Sequence, residues 1–229
     1  MEKGTVYLVG FGPGNPDLLT VGALKILNKA DCIFYDDLTD HDYLQQFEAE
    51  LIYVGKRKDA HSKEQNEINL LLLAAANTGK TVVRLKGGDP MIFAHGGEEI
   101  AYLEENEVEV QVIPGITTAS AFAAYTKIPL TYRNIASSVS FVTGHSLSDI
   151  QIPNTDTIVF YMAGTKIRAI AQRMIEEGFA KETPVALTHG VSLPTQQEFY
   201  YTLGQLAKND ITFPTPVIIV IGKVVSLKR

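Results

Sequence analysis

A single cysteine, Cys32, leaves no partner for an intramolecular disulfide and no cysteine cluster for zinc. Lying within "DCIFYD", it reads as a small buried core residue. No apolar run approaches the roughly 20 residues needed to cross a bilayer. "MEKGTVYLVG" enters a strand pattern directly, without a secretory apolar region or cleavage site. The expectation is a cytoplasmic protein with no membrane partner. A basic excess is also lacking: 20 Lys and Arg stand against 26 Asp and Glu, for a formal net charge of -6. General nucleic-acid binding wants a basic face, so no nucleic-acid partner is expected. An anionic small substrate stays open, because a local basic cluster acts even inside an acidic protein. The nucleophile elbow G-x-S-x-G is missing, and so is any H-x-x-x-H pair; neither a Ser-His-Asp hydrolase nor a metal site is expected.

What is present is alternation, over 229 residues that suffice for one large domain or two small ones. "TVYLVG" (5–10), "DCIFYD" (31–36), "LIYVG" (51–55), "TVVRLK" (81–86) and "VEVQVI" (108–113) read as strands. Asn15-Pro16 offers a helix cap with Pro at the first helical position. Leu19, Ala23, Ile26, Leu27 and Ala30 then form an apolar face at 3- and 4-residue steps. Ser62 and Gln65 have capping-box spacing before "NEINLLLLAAAN", which Gly79 closes. Residues 97–106 and 117–126 read as two further helices, and the alternation predicts an α/β domain with a largely parallel sheet. Further on, "SVSFVTGH" (138–145), "TIVFYMA" (157–163) and "TPVALTH" (183–189) are strands, with a helix at about 165–177. "QEFYYTL" (197–203) and "PVIIVIG" (216–222) follow with little helix between, which suits mixed pairing. "PLTYRNIASS" (129–138) is the candidate boundary. The expected architecture is two α/β domains, 1–133 and 134–229, with a cleft between them.

Several loops carry chemistry. "VGFGPGN" looks like a dinucleotide-binding turn, but Asn15 stands where the third glycine belongs, and Pro13 removes an N–H where a pyrophosphate would want a donor. A close-approach turn and a plain tight turn both fit. "RLKGGDP" (84–90) follows a strand, so Gly87, Gly88 and Asp89 sit where open α/β sheets bind ligands. Asp89 offers acceptors for ribose hydroxyls or a cationic group, and a simple turn of this composition is equally compatible. Asp36 and Asp37 end the second strand on the same side. "VGKRKDAH" concentrates Lys56, Arg57, Lys58 and His61, a solvated loop or an anion clamp. "FAHGGEE" sets His95, Glu98 and Glu99 about a glycine pair, and "PGITTASA" puts Thr117 and Thr118 at a helix start. "HGVSLPTQQ" (189–197) is a further polar loop after a strand.

In order, "VYLVGFGPGNPDLLT", "DCIFYDDL", "VGKR", "VVRLKGGDPMIF", "GGEE", "VIPGITTASA", "IPLTYR", "SSVSFVTGH", "VFYMA" and "PVALTHG" run nearly the full length. This series resembles the S-adenosylmethionine-dependent tetrapyrrole methyltransferase family, and within it the members acting on uroporphyrinogen III. The resemblance implies a homodimer of two-domain subunits that converts uroporphyrinogen III to precorrin-2 by methylation at C2 and C7, releasing S-adenosylhomocysteine. Only the methyl-transfer part is expected here, without the fused dehydrogenase and ferrochelatase module of some relatives. Pro13, Gly87, Gly88, Asp89, Ile92, Thr117, Thr118, Met162 and Gly190 match the family's cofactor-contacting positions. Asp36 matches its proton acceptor, Lys56 its proton donor, and Glu98 and Arg133 its macrocycle-binding positions. The missing third glycine and Pro13 agree with a cofactor that carries a sulfonium and no phosphate.

One departure stands out: the family usually reads G-R-G-G-E-E, and this chain has His95 in place of the arginine. Arginine is permanently charged and bidentate, and histidine is neither. A catalytic role for His95 would therefore carry a pH dependence. The rival readings are a later methyltransferase of corrin synthesis, a nicotinamide-dependent oxidoreductase and a non-catalytic metabolite-binding module. The oxidoreductase needs a pyrophosphate loop followed about 20 residues on by an acidic ribose anchor, for which Asp36 and Asp37 are in range.

Overall fold

The computed structural model describes residues 2–55, 65–146 and 150–228. The chain forms two compact units, Met1–Thr117 and Thr118–Arg229. In the first, β1 (Val6–Gly12), β2 (Cys32–Tyr35), β3 (Glu50–Tyr53), β4 (Val82–Gly87) and β5 (Val110–Ile113) all run parallel. Their order is β3-β2-β4-β1-β5. Strands buried on both faces must be apolar nearly throughout, and here the alternation of side chains divides them between two layers. Val6, Leu8, Phe34 and Val82 pack with Leu72 of α3 (Gln65–Ala76) and Leu103 of α4 (Gly96–Glu105). Val9, Phe11, Ile33 and Leu85 pack with Ala23 and Leu27 of α1 (Val21–Leu27) and Leu44 of α2 (His41–Leu44). Cys32 is buried in the first layer, and burial pushes its thiol up to about 11.

The helix expected from Asn15-Pro16 is divided. Asn15 caps only a 3-10 turn, Pro16–Leu18, by accepting from the Asp17 N–H at 3.0 Å. Leu19 is extended, and Thr20 then caps α1 by accepting from the Ala23 N–H at 3.1 Å. Two caps in sequence interrupt what the apolar period alone reads as one helix.

Three loops meet where the parallel strands end. Gly12 N–H donates to the Gly88 carbonyl at 3.1 Å, and Gly88 N–H donates to the Gly12 carbonyl at 2.7 Å. A Cβ on Gly10 would lie 2.5 Å from Gly115 Cα, and one on Gly115 would lie 2.2 Å from the Gly88 carbonyl oxygen. The loops after β1, β4 and β5 therefore touch main chain to main chain.

The second unit opens with α5 (Thr118–Thr126) and is built on a mixed sheet. Its strands are β6 (Val139–Thr143), β7 (Thr157–Tyr161), β8 (Pro184–His189), β9 (Gln197–Thr202) and β10 (Val217–Gly222), in the order β6-β7-β10-β8-β9. β6 and β7 are parallel and the remaining neighbours antiparallel. Phe160, Leu187 and Ile219 pack against Ile170, Ala171 and Met174 of α6 (Ile167–Glu176). They also meet Leu203 and Leu206 of α7 (Leu203–Lys208), a helix in the stretch read as having little. A reciprocal capping box starts it: Gln205 N–H donates to Thr202 Oγ1, and Thr202 N–H to Gln205 Oε1. The α/β class, with a parallel first sheet and a mixed second one, is the one the alternation predicts.

The glycine contacts yield a paired prediction. Gly115→Ala forces main chain apart and destabilises by about 1–3 kcal/mol, the usual range for overpacking. Gly97→Ala, on α4 with nothing within 4 Å of the added Cβ, stabilises by up to about 1 kcal/mol. Urea unfolding of both variants checks this, and equal midpoints would contradict the packing argument.

Candidate functional site

Among the described residues, the ends of β1, β4 and β5 turn several of their N–H groups on one another. Gly12 and Gly88 use their N–H groups on each other, and Pro13 has none. The Gly115 N–H donates to Asp89 Oδ2 at 3.1 Å, and the Met91 N–H to Asp89 Oδ1 at 2.8 Å. The Ile92 N–H closes the turn on the Asp89 carbonyl at 3.2 Å. A pyrophosphate needs such donors pointed outward, and these N–H groups are turned inward. The C-terminal edge of the first sheet brings Pro13, Gly87, Gly88, Asp89 and Ile92 onto neighbouring loops. Gly87 is there for space, since a Cβ would meet Leu38 Cβ at 2.5 Å.

Beneath this edge lies a group of buried charges. On β4, Arg84 and Lys86 share one face, two residues apart, and both are buried. Glu99, on the inward face of α4 with Leu103, has no exposed surface. Lys86 Nζ lies 2.7 Å and Arg84 Nε 3.5 Å from Glu99 Oε1, which also accepts from Gln65 Nε2 at 3.0 Å. Burial and the neighbouring Arg84 hold the Lys86 ammonium below its ordinary range, against the pull of Glu99. Arg84 Nη2 donates to Asp36 Oδ2 at 3.0 Å. Asp36 Oδ1 accepts from the Leu38 N–H at 3.1 Å, fixing the carboxylate at the end of β2. Its neighbour Asp37 turns the other way and accepts from the Tyr53 hydroxyl.

His95 is exposed and left-handed, at φ 56°, immediately before α4. It does not cap the helix; its Nδ1 lies 3.1 Å from Glu98 Oε1, three residues on. The hydrogen bond to His95 holds the Glu98 carboxyl below its usual range. Two sequence candidates, His95 and Glu98, thus form a single exposed pair. Lys56 and the rest of its basic run, Arg57, Lys58 and His61, lie outside the described residues.

The remaining candidates fall as follows. Thr117 ends the first unit and Thr118 begins α5. In the second unit Met162 follows β7 with φ 54° and half its surface exposed, an uncommon backbone state for a side chain of its size. Gly190 follows β8 at φ 58° and takes a hydrogen bond from the Leu193 N–H at 2.9 Å. Arg133 is exposed in a turn closed by reciprocal hydrogen bonds between Tyr132 and Ala136. Sequence reasoning named Glu99 without giving it a role and missed Arg84 and Lys86. Their signal was available: two cations at i and i+2 in a strand that must be buried on both faces require a buried carboxylate opposite.

A family model described as Tetrapyrrole (Corrin/Porphyrin) Methylases matches residues 5–207. The chain is 45% identical to a siroheme synthase of Hahella chejuensis over 99% of its own length and 51% of that protein's. It therefore spans about half the length of that relative. It is 42% identical to the chloroplastic S-adenosyl-L-methionine-dependent uroporphyrinogen III methyltransferase of Arabidopsis thaliana, covering 98% of this chain and 64% of that one. Among solved structures, it is similar to the uroporphyrin-III C-methyl transferase of Thermus thermophilus complexed with S-adenosyl homocysteine. That likeness has a TM-score of 0.85 and 34% identity, over 98% of this chain and 94% of the other.

The two kinds of ion pair differ sharply in burial, and so in what their loss does. Glu99→Ala leaves two buried cations without their shared carboxylate and destabilises by about 3–5 kcal/mol. His95→Ala breaks an exposed pair and changes stability by at most about 1 kcal/mol. Denaturant midpoints measure both; similar losses would contradict the assignment of burial.

Proposed function

The chain belongs to the tetrapyrrole (corrin/porphyrin) methylases, and from that premise we propose that it methylates uroporphyrinogen III at C2 and C7 to precorrin-2, using S-adenosylmethionine. The observation that carries this reading is the internal pairing of the Gly12, Gly88 and Gly115 N–H groups beside Pro13. Such an edge suits a cofactor without phosphate and disfavours the nicotinamide rival. The names of the similar proteins support the same substrate and cofactor.

S-adenosylmethionine supplies a methyl group already activated on a sulfonium, so the residues around it mainly position it, orient the acceptor carbon and exclude water. We assign cofactor contacts to Pro13, Gly87, Gly88, Asp89, Ile92 and Thr117 in the first unit, and to Thr118, Met162 and Gly190 in the second. Asp36 accepts the proton that must leave the macrocycle after methylation. A carboxylate at a strand end, held by two donors and still partly open to solvent, suits that task. Lys56 is assigned as proton donor. Uroporphyrinogen III carries eight carboxylates, which suit the exposed guanidinium of Arg133. Glu98 completes the macrocycle contacts, and its partner His95 is assigned a catalytic part. The product serves sirohaem or cobalamin synthesis, and we place the enzyme in the cytoplasm as a homodimer. No described helix is long and apolar enough to cross a membrane.

Anaerobic incubation with S-adenosylmethionine and uroporphyrinogen III, followed by mass measurement, tests the proposal. A product heavier by two methyl groups is expected; methylation of a later corrin intermediate alone would refute it.

We assign His95 the part that the resemblance gives to an arginine, whose charge is permanent where an imidazole's is not. With that part, the native rate is expected to fall with rising pH between about pH 6 and 8, the range in which histidine serves as a switch, while His95→Arg holds its rate. Coincident pH–rate profiles would show that His95 has no catalytic part.

A further inference from the structure

The buried charges under the first sheet are poorly explained by stability. Replacing a buried ion network with apolar residues of similar volume is often neutral or stabilising. This network is also incompletely satisfied, for among the described residues Glu99 Oε2 and Arg84 Nε are buried without a hydrogen-bond partner. Its geometry is directional, however. The Arg84 guanidinium is engaged from three elements: Nη1 donates to the Leu85 carbonyl at 2.8 Å on β4, Nε faces Glu99 Oε1 on α4, and Nη2 donates to Asp36 Oδ2 after β2. The side chains of Glu99, Lys86 and Arg84 are 0%, 5% and 6% exposed, and that of Asp36 is 23% exposed. Of these four charges, Asp36 is by far the most open to solvent.

We propose that Arg84 is a positioning residue for the Asp36 carboxylate and that buried Glu99 acts behind it by holding Arg84 in place. This rests on the reading of Asp36 as proton acceptor given above. A planar guanidinium engaged at both ends sets the rotation of a carboxylate as well as its place, which a lysine ammonium does not. With Leu38 N–H on Oδ1 and Arg84 on Oδ2, both oxygens of the carboxylate are held by donors. Lys86 gives Glu99 a second cationic partner, so that Glu99 stays anchored even though Arg84 is shared with Asp36.

A double-mutant cycle tests the proposal, read in single-turnover methyl transfer and in calorimetric binding of S-adenosylhomocysteine. Arg84→Lys is expected to slow methyl transfer about 10- to 100-fold, the scale of a small misplacement of a reacting group. The KM for uroporphyrinogen III and the S-adenosylhomocysteine affinity should change by less than about threefold, because only transition-state interactions are lost. In an Asp36→Asn background the same Arg84→Lys change should alter the rate by less than about twofold, since the charge to be placed is gone. Glu99→Gln keeps the shape of the side chain and should show the same pattern with a smaller factor. Should Arg84→Lys no longer bind S-adenosylhomocysteine, the cycle is run with Glu99→Gln in its place. Equal factors in both backgrounds would overturn the positioning role while leaving the methyltransferase reading intact. A wild-type chain that leaves uroporphyrinogen III unmethylated would overturn both.

Discussion

The first unit depends on main chain meeting main chain at the end of its parallel sheet. Gly10 on β1, Gly88 after β4 and Gly115 after β5 come together from separate parts of the chain, and a Cβ on Gly10 or Gly115 would run into the backbone of its neighbours. This contact, with the reciprocal Gly12–Gly88 hydrogen bonds, holds the loops after β1, β4 and β5 as one surface. It also explains that surface's character. Donors used to join these segments are not available to a phosphate, which is the character that the proposed cofactor, without phosphate, would suit.

The fold was largely legible because its signals are local. A parallel sheet covered on both faces writes its strands as apolar runs, and β1, β2 and β4 are of that kind. The departures have equally local causes. Thr20 restarts a helix that the apolar period alone carries on from Asn15. Thr202 and Gln205 start α7 through a box whose spacing is plain in "TLGQ", though a strand reading of "QEFYYTL" overlooks it. Short helices such as α2, four residues behind the Asp40 cap, offer too little period to be read without their cap.

The candidate site was legible in its loops and not in what lies beneath them. Gly87, Gly88 and Asp89 announce themselves as punctuation after a strand, but the tie between Asp89 and the Gly115 N–H joins residues 26 positions apart. Likewise, Glu98 and Glu99 look alike in sequence, and only the helix phase sends one to solvent beside His95 and the other into a buried ion network. Arg84 and Lys86 lie in the run read as a strand at 81–86, where no role was given to either. Pairing on both sides of β4, by β1 and β2, is what makes them interior.

The closure of that network has a consequence for ionic strength. Mobile salt ions screen exposed charges over a Debye length of about 8 Å at physiological strength and reach buried pairs far less. The exposed Arg133 feels the solution directly, whereas Arg84 and Glu99 do not. On the proposed roles, capture of a polyanionic substrate by Arg133 would weaken as salt is added, while the alignment of Asp36 by Arg84 would change far less. Attraction and precision would then lie in separate electrostatic settings, one open to the solvent's ions and the other largely buried.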